Sequence, residues 1–176
     1  MSEGQPFTHP YNLNRLGQAG DDIAVATTDE DRAALARFAE VLRVEAFAGR
    51  VVLQKLSPNR FRLDFTLTAD LVQACVVTLA EVPAHIERQF TRELHFSPAL
   101  RRSLVPAPVE EVVLEGDEPE EIDSLHYDLA APLIEEFLLA IDPYPRAAGV
   151  EFRPPGEGDK APESPFAVLK GLKSGL

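Results

Sequence analysis

Side chains of the types that bind metal ions or act as nucleophiles are few in this sequence and lie far apart along it. Its four histidines are His9, His85, His95 and His126, and its single cysteine is Cys75. His85 and His95 fall in one predicted strand, where their ten-residue separation spans about 33 Å at ~3.3 Å per residue, too far to bind one metal ion. Cys75 stands in an apolar run with no cationic neighbour to lower its pKa, so we interpret it as a buried, inert thiol.

The sequence motifs of the common enzyme classes are missing. There is no glycine-rich phosphate loop, no GxSxG nucleophile elbow and no HExxH zinc motif. Adjacent acidic pairs such as Glu110–Glu111 and Glu135–Glu136 would point about 100° apart on a helix, and we interpret them as solvated. We therefore predict no catalytic residues, no metal site, no cofactor and no small-molecule substrate. A hydrolase with an unrecognised site is the enzymatic alternative.

Four arginines form the candidate RNA-binding surface. Arg60 and Arg62 lie on the polar face of one predicted strand, whereas Arg88 and Arg92 lie on the partly apolar face of another. A sheet that exposes arginines could bind RNA phosphates, although this one lacks the exposed aromatic side chains on which single-stranded bases stack. The competing interpretation is that these arginines solubilise the sheet or pair with acidic residues.

Acidic charge is concentrated in one segment. The formal net charge of the chain is −12, which argues against general nucleic-acid binding. Residues 110–123 contain eight acidic residues and no basic one, and we call this segment the acidic strap. We predict that its acids stay solvated and bind a partner. Its candidate contact residues are Glu115, Asp117, Glu118, Glu120 and Glu121.

Alternating polarity predicts the central sheet. From Arg60 to Thr68 every odd-numbered residue is apolar and every even-numbered residue is polar, which is typical of a half-buried strand. A turn at residues 57–59 makes residues 47–56 its antiparallel hairpin partner. Residues 71–79 and 84–96 are predicted to form two further strands.

Two helices complete the predicted core. Thr28 and Asp31 imitate a capping box at the start of a helix over residues 29–43. A second helix is predicted to begin at the N-cap Asp128 and to end before Pro143. Its buried stripe consists of Leu129, Leu133, Phe137 and Ile141. The predicted fold is α+β: an antiparallel sheet, either open or curled toward a barrel, with two main helices packed on it.

The chain is predicted to divide into a body, a linker and a tail. Residues 1–146, which include the acidic strap, form a single α+β domain, and residues 147–163, rich in proline, glycine and acids, form a flexible linker. Residues 164–176 form a short C-terminal helical tail in which Phe166 and Leu169 lie on one side. The N-terminus lacks a basic signal region and no apolar run approaches ~18 residues, so we expect a cytoplasmic protein.

Three short motifs follow one another along the chain. QACVVTL covers residues 73–79, a second motif runs from Asp128 to the DPYPR sequence at 142–146, and SPFAVLKGLK covers residues 164–173. Together they resemble the YceD family, the large ribosomal RNA subunit accumulation proteins. The resemblance spans most of the chain from about Val44 onward.

This resemblance implies a role in ribosome biogenesis. The implied protein is a non-enzymatic factor that supports accumulation of the large ribosomal RNA by binding precursor RNA or a ribosomal protein of the large subunit. Genes of the family commonly neighbour one for a small basic ribosomal protein, which makes such a protein the natural candidate partner. The sequence departs from the family pattern in lacking the extra cysteines that look metal-binding in many relatives, and in having Val77 where arginine is frequent.

Three binding functions therefore remain open. The first is a ribosome-assembly factor that acts through protein contacts at the acidic strap and the tail. The second is a direct RNA binder that uses Arg60, Arg62, Arg88 and Arg92. The third is an acidic adaptor for protein–protein contacts unrelated to ribosomes. No membrane is implied by any of them.

Overall fold

A computed structural model describes residues 5–98 and 119–150 of the chain. In chain order the strands and helices are β1 (Pro10–Asn12), β2 (Asp21–Ala26), α1 (Asp29–Phe38), β3 (Arg43–Ser57), β4 (Arg60–Ala74), β5 (Glu81–Phe96), β6 (Glu120–Ile122), β7 (His126–Asp128) and α2 (Ala130–Ala140), with a short 3₁₀ helix at Leu13–Arg15. The first part of the acidic strap, most of the predicted linker and the predicted tail lie outside the described residues.

The main sheet has five strands in the order β2-β3-β4-β5-β6. Strands β2 to β5 pair antiparallel with their neighbours, whereas β6 pairs parallel with the last three residues of β5. A separate two-stranded sheet joins β1 to β7. Because β2 and β6 form the two edges of the described main sheet, it is open rather than closed into a barrel. The predicted α+β class is confirmed.

The long hairpin of β3 and β4 supplies most of the core. The alternating apolar residues of β4 that were predicted to face inward are all buried, at 2% exposure or less: Phe61, Leu63, Phe65 and Leu67. Both helices contribute to the same buried cluster, α1 through Leu35 and α2 through Leu133 and Phe137. Gly49 of β3 allows α2 to approach closely, since a Cβ at this position would lie 2.3 Å from Cδ1 of Leu133.

Helix α1 begins as predicted but ends early. The capping box is present: the Thr28 hydroxyl accepts from the Asp31 N–H, and the Asp31 carboxylate accepts from the Thr28 N–H. The predicted extension to residue 43 is wrong, because Glu40 adopts a left-handed φ of 54° and the Leu42 N–H donates to the Val72 carbonyl of β4 instead. The pairing with β4 wins over helical propensity at this point.

Helix α2 has a different N-cap from the one predicted. The capping position is Leu129, not Asp128. Asp128 nevertheless fixes the start of the helix, because its Oδ1 accepts from the N–H groups of Ala130 at 3.0 Å and His9 at 2.7 Å. Of the predicted buried stripe, Leu129, Leu133 and Phe137 are fully buried and Ile141 is partly buried. Neither helix of the described residues is long and apolar enough to cross a membrane.

The separate strand predicted over residues 71–79 is wrong. Residues 71–74 continue β4, and residues 75–80 form a turn that leads into β5. Two backbone hydrogen bonds close this turn, from the Cys75 N–H to the Ala80 carbonyl at 2.8 Å and from the Leu79 N–H to the Cys75 carbonyl at 2.9 Å. Leu79 adopts a left-handed φ of 61°. The apolar run therefore reverses the chain without the glycine or proline that usually marks a turn.

Candidate functional site

The four candidate arginines lie on opposite faces of the main sheet. The register pairs Arg92 of β5 with Leu63 of β4, whose side chain is in the core. Arg88 and Arg92 therefore belong to the helix-bearing face, whereas Arg60 and Arg62 belong to the exposed face. The structure brings Arg60 and Arg62 together on one strand and separates them from the other pair.

The exposed face carries more acidic than basic side chains. Its arginines on β3 and β4 each contact a carboxylate: Arg43 with Glu81 at 2.6 Å, Arg50 with Asp22 at 2.5 Å, Arg60 with Glu93 at 3.8 Å and Arg62 with Asp64 at 3.2 Å. Asp70 and Glu87 also lie on this face, so six acids oppose four arginines on β2 to β5. With neutral histidines the face is net negative.

On the helix-bearing face one of the two arginines is also paired. The Arg92 guanidinium contacts the Glu135 carboxylate of α2 at 2.7 Å. Arg88 donates to the backbone carbonyl of Glu87 at 3.3 Å and has no carboxylate partner among the described residues. The candidate arginines therefore do not form a contiguous cluster of free cations within residues 5–98 and 119–150.

The described end of the acidic strap forms β6. Glu120 and Glu121 are exposed there, in parallel register with Leu94 and His95 of β5. Neither glutamate has a cationic partner among the described residues, although Glu120 accepts a hydrogen bond from the Tyr127 hydroxyl at 3.4 Å. Burial and the charge of Glu120 raise the pKa of Tyr127. The other candidate contacts, Glu115, Asp117, Glu118, Phe166 and Leu169, lie outside the described residues.

A charged cleft of about 600 Å³ opens between β6, β5 and α2. Its lining residues are Arg62, Phe90, Thr91, Arg92, Glu93, Glu120 and Glu136. This lining contains three glutamates and two arginines, and both arginines already contact carboxylates. The cleft is therefore better suited to a basic polypeptide segment than to phosphate.

Two of the sequence motifs meet at the end of the main sheet where β4 leads into β5. Three hydrogen bonds join them: Gln73 Nε2 to the Asp142 carbonyl at 2.8 Å, the Val76 N–H to the Pro145 carbonyl at 2.9 Å, and the Ala147 N–H to Cys75 Sγ at 3.4 Å. We call this contact between residues 73–80 and 142–147 the motif junction. It connects the end of β4 to the segment that follows α2.

Cys75 lies at the centre of the motif junction. Its side chain is fully buried, as the sequence predicts. Hydrogen bonds from the Thr78 hydroxyl, and then from the backbone N–H groups of Ala147, Val77 and Thr78, lower the pKa of Cys75 to about 6, because they stabilise the thiolate. The prediction of an inert thiol considered only cationic neighbours and did not anticipate these hydrogen bonds. The sequence shows no cationic neighbour, and apart from the hydroxyl of Thr78 the donors are backbone groups that composition does not reveal.

The described part of the chain holds no metal site. No group of three or more His, Cys, Asp or Glu side chains in it is arranged to bind a metal ion. His85 pairs instead with Asp70, with Nδ1 and Oδ1 2.7 Å apart.

A family comparison covers most of β4 and the chain beyond it as far as residue 173. Residues 63–173 match the family model described as Large ribosomal RNA subunit accumulation protein YceD. The chain belongs to the YceD family. The matched span includes both sides of the motif junction, and the family description names a protein of large ribosomal RNA subunit accumulation. No curated protein and no solved structure matches the chain.

The motif junction is the feature that sequence reasoning missed. Both of its segments lie within the span that matches the family, yet nothing in their local patterns indicates that they touch. The sequence offered one indication of this contact. Two separate motifs belong to one family pattern, which favours a contact between them but does not identify it.

Proposed function

We propose that this YceD-family chain supports accumulation of the large ribosomal RNA without catalysis, by binding a basic ribosomal protein of the large subunit through its acidic strap. The family description supplies the process. One observation supports the class of partner: Glu120 and Glu121 are exposed without a cationic partner among the described residues, whereas three of the four candidate arginines already contact carboxylates.

Electrostatics favours a basic protein over RNA as the partner. Binding to a phosphate backbone depends on cations that are free to neutralise phosphates and release counterions. Arg60, Arg62 and Arg92 would first have to leave their carboxylates. The lysines and arginines of a basic ribosomal protein would instead meet unpaired carboxylates, and such complementarity steers association and sets partner choice.

The first experiment measures binding of the purified full chain to purified basic proteins of the large ribosomal subunit. We expect one of them to bind, and the double variant Glu120→Gln/Glu121→Gln to weaken that binding. Two exposed charge pairs contribute roughly 0.4–2 kcal/mol together, which corresponds to about a 2- to 30-fold increase in Kd. The difference should shrink as salt is added.

The matched control is Glu30→Gln/Glu40→Gln. It removes the same charge from exposed residues of α1 and the turn after it. It should leave Kd nearly unchanged. An equal loss in both double variants would mean that only net charge matters, and the absence of binding to any basic large-subunit protein would refute the proposed partner.

A parallel experiment tests precursor RNA. If the four candidate arginines contacted phosphates, log K against log salt would have a slope near −3.6, because each contact contributes about 0.9. We expect no such RNA binding. RNA binding with this slope, abolished by Arg60→Gln/Arg62→Gln, would replace the protein partner with RNA.

Deletion of the gene tests the process itself. The proposal predicts fewer large subunits on sucrose gradients and altered levels of large-subunit precursor RNA. Unchanged profiles would remove the ribosomal role and leave the adaptor function unrelated to ribosomes.

A further inference from the structure

Exposed apolar side chains of the described residues concentrate at one end of the main sheet. Seven large apolar side chains are exposed in the described part of the chain, and five of them lie at this end, four on connections and one on the last residue of α1. They are Phe38, Leu42, Val76, Leu79 and Tyr144, and we call these five residues the apolar end. Isolated exposed apolar residues are common, but a group on neighbouring connections is typical of a contact surface.

Backbone hydrogen bonds bring these connections together. The Leu42 N–H donates to the Val72 carbonyl near the end of β4, at 3.0 Å, and the Val76 N–H donates to the carbonyl of Pro145, the neighbour of Tyr144, at 2.9 Å. Leu79 lies on the turn closed by Cys75 and is 78% exposed. The apolar end therefore lies next to the motif junction, on its solvent-exposed side.

The last described residues, 147–150, also lie beside the apolar end. Ala147 contacts Cys75 Sγ, and the Val150 N–H bonds back to the Ala147 carbonyl at 3.3 Å. Thirteen residues, 151–163, separate this point from residues 164–173. That length reaches at most about 43 Å when extended and about 20 Å on average as a flexible chain, so the apolar end is within its range.

Residues 164–173 match the apolar end in chemistry. They combine apolar side chains with two lysines: Phe166, Val168, Leu169, Leu172, Lys170 and Lys173. The span that matches the family, residues 63–173, includes the motif junction and residues 164–173.

We propose that residues 164–173 dock on the apolar end of their own chain, with Phe166 and Leu169 against Leu79 and Tyr144. The short connection makes the contact intramolecular, with an effective concentration in the millimolar range. An intrinsic dissociation constant well below about 1 mM then keeps the contact formed for most of the time. This inference is independent of the proposed function, because it concerns the chain alone.

A single tryptophan reports on this contact. The chain contains no tryptophan, so Leu79→Trp introduces one unique tryptophan within the apolar end. Docking predicts blue-shifted emission and weak quenching by acrylamide in Leu79→Trp, and loss of both properties when Phe166→Ala is added. Leu139→Ala, added in place of Phe166→Ala, removes an apolar side chain of α2 that is 72% exposed and should change neither.

A control at another position and a concentration series complete this test. Leu56→Trp, at the opposite end of β3 and 51% exposed, should show solvent-exposed emission whether or not Phe166 is present. Shielding of Leu79→Trp that grows with protein concentration would mean docking of a second copy, and exposed emission at all concentrations would mean no docking within the purified chain. Either result overturns the proposal.

Hydrogen–deuterium exchange provides a second readout with Leu79 left in place. Phe166→Ala should speed exchange in peptides that cover residues 73–80 and leave β3 unchanged. Equal exchange in both proteins would contradict docking even if the tryptophan variant failed to fold.

Discussion

The side-chain amide of Gln73 donates a hydrogen bond to the backbone carbonyl of Asp142 across 2.8 Å. Gln73 is the one buried polar side chain among the described residues, at 7% exposure. Its bond spans 69 positions of sequence and fixes the chain after α2 to the end of β4. The motif junction is therefore a structural connection, and both of its sides lie within the span that matches the family.

Gln73→Ala should destabilise the fold by about 1–3 kcal/mol, because it leaves the Asp142 carbonyl without its donor in a partly buried position. Gln54→Ala is the matched control, since Gln54 is exposed on β3 and should change the free energy of unfolding by less than about 0.5 kcal/mol. Urea denaturation of both variants makes the comparison. Equal values would show that the bond contributes no stability.

Gly49→Ala should destabilise the fold by about 1–3 kcal/mol through overpacking, because the new Cβ would lie 2.3 Å from Cδ1 of Leu133. Gly17→Ala, where nothing lies within 4 Å of the added Cβ, should be neutral or slightly stabilising. Thermal or urea unfolding measures both. If the clash is the cause, Gly49→Ala should cost less in a Leu133→Ala background than in the natural chain.

Cys75 should make stability depend on pH between about pH 6 and 8.5. Hydrogen bonds lower its pKa in the folded chain to about 6, below the ordinary value of about 8.5. A lowered folded-state pKa contributes stability above the unfolded-state pKa, and this contribution is lost as pH falls through the folded-state value. The free energy of unfolding of the natural chain relative to Cys75→Ala should therefore rise from pH 6 to 8.5.

Urea denaturation of both proteins at several pH values tests the thiolate. Cys75→Ala provides the baseline, because every other titrating group is shared by the two proteins. Parallel pH profiles would mean that the thiol keeps its ordinary pKa in the folded chain.

Thr28→Ala should destabilise α1 by about 1 kcal/mol, because the Thr28 hydroxyl accepts from the Asp31 N–H at 3.2 Å. Thr68→Ala changes an exposed threonine on the open face of β4 and should have a smaller effect. Helical circular dichroism and urea denaturation follow both. A smaller loss for Thr28→Ala than for Thr68→Ala would contradict the capping role.

Strand β4 and the turn that follows it show what the sequence could predict and what it could not. The polarity alternation of Arg60 to Thr68 predicts β4 and its buried face correctly because side-chain direction in a strand is fixed by local geometry. The turn at residues 75–80 was missed because Leu79 supplies a left-handed φ that is uncommon outside glycine, asparagine and aspartate. Length and apolar content alone favoured a strand there.

The four candidate arginines show the same limit of prediction from sequence. The face of each candidate arginine was readable from its strand, but its carboxylate partner was not. Arg92 pairs with Glu135 across 43 positions of sequence, a contact that only the packing of α2 creates. The three motifs predicted the family, and their mutual contact required the folded chain. The roles of the arginines, the acidic strap and the tail stay predictions.

The pairing of β1 with β7 has a consequence for folding during synthesis. Strands β2 to β5 pair between neighbours in the chain and can associate as each one emerges. β1 pairs with residues 126–128, so it has no strand partner until the chain has grown by 114 residues beyond Asn12. At about 5–20 residues per second that delay is roughly 6–23 s. Strand β1 is therefore the last part of the described sheet structure to be paired, although it is synthesised before the strands of the main sheet.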